Sequence, residues 1–196
     1  MVEDRMSTKE LIGKKVYREI ATLTGSMNKG YDKATFAHLR NGVRKAPGED
    51  RNLWYMLFNE LPEEFLNNDG KPTKAEWAIY ISLTMFALHQ QSNNENVHQS
   101  GINLGEAVFK LMNEKTDSEY KRVMRRFEPL TEANSIYDFS YALSSLIKMM
   151  KDKGIKLDYV MLAKDIYDFQ FSEGKQDVVY RWGKGFHKKY NITKGE

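Results

Sequence analysis

Three groups of basic residues carry the types and spacings best suited to chemistry in this chain, and that chemistry is the holding of anions. Arg40, Arg44 and Lys45 lie in a run from Lys33 to Gly48 that contains no acid. Phe36, Leu39 and Val43 recur at i, i+3 and i+7 and face a core, while Lys33, Arg40 and Arg44 share another face. Lys121 with Arg125, and Arg122 with Arg126, are i, i+4 pairs of like charge that repel unless an anion or acid lies nearby. Glu119 and Glu128 flank this cluster but are too few to neutralise it. Arg181 and Lys184 lie on a last helix whose Val178, Trp182 and Phe186 form an apolar stripe, and past Asp177 no acid appears until Glu196. Arginines on rigid helix surfaces without carboxylates suit phosphate oxygens. The plainer explanations are a solvated charged face and, for Lys188 and Lys189, the helix dipole.

Residues that could support catalysis are sparse. His38, His89, His98 and His187 have no i, i+4 partner and no carboxylates at ligand spacing, so each reads as a satisfied polar residue. No metal, cofactor or catalytic residue is expected. Asp165 and Asp168, beside Lys164, read as a surface ion pair, and Trp182 as a core residue that could otherwise stack on a base. There is no Walker A loop, Rossmann fingerprint or serine elbow. One spacing is enzyme-like: Arg181 to His187 is an Arg-x5-His arrangement that resembles the motif of the all-helical HEPN ribonucleases. Six residues turn a helix by about 600°, which separates the two side chains unless Gly183 or Gly185 breaks it. Trp182 also stands where that family usually has a small polar residue.

The elements that must position these groups are helices. The 196 residues are 41% hydrophobic and 12% aromatic, enough to fill a core. The absence of cysteine excludes a disulfide framework, a thiolate nucleophile and a zinc–cysteine site. A net charge of +3 is too mild to imply nucleic acid by itself. No apolar run is long enough to span a bilayer, and Met1 to Arg5 lacks a signal-peptide pattern, so the expectation is a soluble, cytoplasmic protein. Ser7 to Glu10 and Thr73 to Glu76 have the form of capping boxes, and Thr116 to Glu119 of a further cap. The segment Lys74 to Gln90 is apolar all round and should be enclosed by its neighbours. The pattern predicts an all-α fold of eight to nine helices without repeats. They would form one compact domain or two packed lobes, 7–91 and 101–191, with the polar run Gln90 to Ser100 as a mobile boundary.

The order of short landmarks along the chain resembles the CasB family, the small subunit of the type I-E CRISPR surveillance complex called Cascade. Phe36 to Gly42 followed by Ala46-Pro47-Gly48, then Trp77 to Tyr80 and Phe86 to Gln90, are similar to the N-terminal half. Ile102 to Gly105, Arg122 to Phe127, Leu157 to Tyr159, Leu162 to Asp165 and Arg181 to Gly183 continue the series in order. The resemblance implies a non-enzymatic helical subunit, present in two copies within an RNA-guided complex and touching neighbouring subunits that carry the guide RNA. It further implies that the subunit lines the path of the target and displaced DNA strands and stabilises the R-loop. Arg40, Lys121 and Arg122 match basic positions of the family; Arg44, Lys45, Arg125, Arg126, Arg181 and Lys184 join them by clustering. Ser144-Ser145 and Glu106 depart from the family, which often has basic residues there. The remaining alternatives are a HEPN-like ribonuclease and an adaptor whose basic faces meet acidic proteins.

Overall fold

A computed structural model of the chain describes residues 6–25, 33–65 and 69–192. Among these the fold is all-α, with nine α-helices and two short 3-10 turns. They are α1 (Thr8–Leu23), α2 (Lys33–Arg40), α3 (Trp54–Phe58), α4 (Lys74–Gln90), α5 (Leu104–Phe109), α6 (Asp117–Thr131), α7 (Ile136–Asp152), α8 (Tyr159–Phe169) and α9 (Ser172–Ile192). Two capping boxes form as their sequences prescribe. Ser7 Oγ accepts from the Glu10 N–H while Glu10 accepts from the Ser7 N–H, and Thr73 and Glu76 do the same for α4. Thr116 caps α6, but Glu119 does not complete a box, because its carboxylate is turned to Arg122 and to the Asn113 N–H.

Helix α4 is the centre of the molecule. Every residue from Ala78 to His89 is buried, and the helix packs against α1, α2, α7 and α8. Two polar members of this enclosed helix find partners on Tyr159: Ser82 Oγ donates to its carbonyl at 2.8 Å, and His89 Nδ1 meets its hydroxyl at 2.7 Å. A second set of contacts joins α6 and α9. Trp182 and Phe186 of α9 pack against Phe127 and Tyr120 of α6, with ring centroids 6.2 and 5.9 Å apart. Helix α5 lies so close on α9 that Gly105 abuts the backbone of Trp182.

Buried residues from Ile12 to Leu88 and from Leu104 to Phe186 belong to one hydrophobic cluster. The polar run expected to be a mobile boundary is fastened down. Leu157 N–H donates to the Val97 carbonyl, Gln99 N–H to the Leu157 carbonyl, and Asp158 N–H to the Ile102 carbonyl, all at 3.0 to 3.1 Å. Asp158 also accepts from the Gly101 N–H at 2.8 Å and caps α8, so one carboxylate ties the run to the helix that follows. Composition marked the stretch as a loop, but its backbone groups are satisfied by partners about sixty residues away, which no local pattern reveals. Asn67 and Asn68, read as part of a loop, lie outside the described residues.

Candidate nucleic-acid interface

The first basic group sits on a turn anchored at three points. After α2 the chain passes Gly42, whose carbonyl accepts from the buried Tyr80 hydroxyl at 3.2 Å. Gly42 is required here because a side chain would collide with that hydroxyl, a closer constraint than helix punctuation. The Val43 carbonyl accepts from Ser140 Oγ of α7 at 2.9 Å. Beyond it the Arg44 guanidinium lies over the Tyr141 ring, 4.5 Å from its centroid. Arg44 and Lys45 are exposed and Arg40 is half-buried. None of the three side chains has a hydrogen bond or ion pair among the described residues. His38, which the sequence left without an acid, meets Asp50 at 2.7 Å; the Asp50 carboxyl stays below the usual range despite burial, held there by Asn52 and His38.

Helix α6 divides the second group. Lys121, Arg125 and Arg126 project into solvent with no such partner among the described residues. Arg122 differs, and the expectation that Glu119 could not offset it is corrected. Its Nε and Nη2 donate to the two oxygens of Glu119 at 2.7 and 2.9 Å, and Nη2 also reaches the Leu111 carbonyl at 2.8 Å. These bonds hold the Glu119 carboxyl down at about 2, the largest cause being the Arg122 side chain. Lys153 donates to the same Leu111 carbonyl at 2.7 Å, so Arg122 closes the α5–α6 connection against the end of α7.

The third group divides the same way. Arg181 Nη2 donates to Asp165 at 2.7 Å and to Asp168 at 3.4 Å, while the Trp182 indole N–H donates to the other Asp165 oxygen at 2.7 Å. Asp165 is 5% exposed, which corrects the reading of a surface pair: Arg181 and Trp182 hold a buried carboxylate that burial pushes upward in pKa. Trp182 is wholly buried and so is unavailable to a base. Lys184 is exposed, and its ammonium lies 5.9 Å from the Tyr180 ring centroid. Helix α9 continues through Gly183 and Gly185, so the break that would bring Arg181 and His187 together does not occur.

The elements that carry the three groups are linked in series through helices α6 and α7. The Arg44 turn docks on α7, α6 packs on α7, and α9 packs on α6 through Trp182 and Phe186. The sequence reading passed over two exposed tyrosines on α7, Tyr137 and Tyr141, beside this turn. The available signal was their i, i+4 spacing out of phase with the Phe139, Leu143, Leu146, Ile147 and Met150 stripe. Among the described residues no cluster of metal-ligating side chains occurs and no helix is long and apolar enough to cross a membrane.

Comparison with known proteins agrees with the resemblance in the sequence. The family model of CRISPR-associated protein Cse2 matches residues 35–187. The crystal structure of CasB from Thermobifida fusca is similar to this chain at 30% sequence identity with a TM-score of 0.70, covering 92% of this chain and 97% of that one. No curated protein matches the chain by sequence. The all-α architecture, the family match and the structural likeness together establish that the chain belongs to the CRISPR-associated Cse2 family, the CasB proteins of type I-E Cascade.

Proposed function

We propose that this chain is a non-catalytic, cytoplasmic subunit of Cascade that holds target and displaced DNA strands by their phosphates and so stabilises the R-loop. Its partners on this reading are the other subunits with their guide RNA and a second copy of itself. The observation that carries it is the division among the cations. Among the described residues, carboxylates pair with Arg122 and Arg181, where an arginine shapes the fold, and none pairs with Arg40, Arg44, Lys45, Lys121, Arg125, Arg126 or Lys184. These seven cations, on helices and on the turn after α2, have no carboxylate partner among the described residues, and a phosphate backbone is the kind of anion such cations attract. Arg122 and Arg181 are positioning residues in this scheme: they keep α6 and α9 rigid so that their neighbours point outward.

The energetics need no sequence readout. Exchange of a DNA duplex for a guide–target hybrid is nearly balanced, so phosphate contacts to the strands can tip it. Salt dependence tests this directly. In complexes carrying Arg40→Ala or Lys121→Ala with Arg125→Ala, DNA binding should weaken. The slope of log affinity against log salt should fall by roughly one unit per phosphate contact removed. An unchanged slope and unchanged R-loop formation across several salt concentrations overturns the assignment. Failure of single-stranded DNA to compete with an acidic protein surface would favour the adaptor instead.

A further inference from the structure

Helix α7 turns one stripe of side chains away from the core, running Tyr137, Tyr141, Ser145 and Lys148. Tyr137 and Tyr141 are 51% and 53% exposed, whereas Phe139 between them is wholly buried. Spaced at i, i+4, the two rings sit one above the other, about 6 Å apart along the helix axis. Each is held in place. The Tyr137 ring meets Trp77 edge-on at 5.1 Å, and Arg44 covers the Tyr141 ring. Neither phenol oxygen has a hydrogen-bond partner among the described residues. The charges beside the pair are cationic, with Arg44 and Lys45 on the docked turn and Lys148 about 10 Å further along the stripe. The nearest acid on the helix, Asp138, is engaged by Ser135 in the N-cap.

We propose that Tyr137 and Tyr141 form a stacking platform for the bases of an unpaired strand. This inference rests on the phosphate-holding reading above and adds a base-contacting surface to it. Half-exposed aromatic rings in fixed orientations gain by covering their faces, and every base has a π-face to offer. A guanidinium over one ring extends the stack while drawing the strand's phosphate to the same place. The surrounding arginine, lysines and serine suit an anionic, planar ligand better than an aliphatic protein surface. The platform is therefore indifferent to sequence and selective for bases that are not paired.

The test compares an oligothymidylate with an abasic strand of equal length and phosphate count, titrated into the intact full-length chain at low salt. The intact chain should bind the thymidylate roughly ten-fold tighter than the abasic strand. Tyr137→Leu with Tyr141→Leu should abolish that preference while leaving the salt slope unchanged, and Tyr137→Phe with Tyr141→Phe should restore it. Strands bearing 5-iodouracil should photocrosslink to Tyr137 or Tyr141 in the intact chain. Equal binding of both strands by the intact chain, or a preference that survives the leucine pair, overturns the platform and leaves phosphate holding intact. Binding of neither strand overturns both.

Discussion

Arg122 grips Glu119 with two hydrogen bonds, 2.7 and 2.9 Å long, and Nη2 of the same guanidinium also donates to the Leu111 carbonyl at 2.8 Å. One turn of helix separates it from Arg126, which has no such partner among the described residues. Neighbours of one residue type on one helix thus have different work, and experiments should separate them.

Arg122→Ala should lower the thermal midpoint and leave the salt slope of strand binding unchanged, whereas Lys121→Ala should do the reverse. The Arg122 pair also sets an acid limit. Glu119 has its folded pKa depressed from its ordinary value of 4.5 to about 2, chiefly by the Arg122 side chain, so its contribution is present above 4.5 and is lost as pH falls from there toward 2. Glu119→Gln should remove that share of the acid sensitivity, as read by denaturation midpoints across this range.

His89 sets a second limit at milder pH. Burial lowers its pKa from 6.5 to about 4, and the neutral ring meets the Tyr159 hydroxyl. Because the unfolded chain takes up the proton first, the stability from the neutral form is complete above pH 6.5 and is lost as pH falls toward 4. The full effect is about 3 kcal/mol, from the size of that shift. Urea midpoints of the intact chain should fall between pH 7 and 4, and His89→Gln should flatten the profile.

Two glycines should respond oppositely to alanine. At Gly105 a Cβ would run into the Trp182 backbone, and neither helix can yield without opening the α5–α9 contact, so Gly105→Ala should cost about 3 kcal/mol. At Gly183, inside α9, a Cβ meets nothing, so Gly183→Ala should raise stability by about 1 kcal/mol. Thermal denaturation of the two variants decides both.

Asp165 is the buried end of the Arg181 pair and also accepts from the Trp182 indole. Asp165→Ala strands the buried Trp182 indole N–H and leaves Arg181 with Asp168 alone, and should cost about 2 kcal/mol in chemical denaturation. Lys184→Ala on the same helix should change stability little, because its side chain is exposed.

Helix content, the first two capping boxes and the enclosure of α4 were legible in the chain itself, because caps and apolar periodicity are local properties that act over three or four residues. The basic groups were legible too, as residue types at a spacing. What the sequence could not decide was which cations are free. Arg181 meets carboxylates thirteen and sixteen residues away, Asp158 binds the Gly101 N–H fifty-seven residues back, and Arg44 finds Tyr141 only because Ser140 docks the turn on α7. Even the local pair of Arg122 with Glu119 is fixed from outside the helix, by the Leu111 carbonyl that accepts from Arg122 and the Asn113 N–H that donates to Glu119. Local pattern therefore determined the helices and put charge on their surfaces, while long-range packing determined which of those charges meet a carboxylate and which, among the described residues, do not.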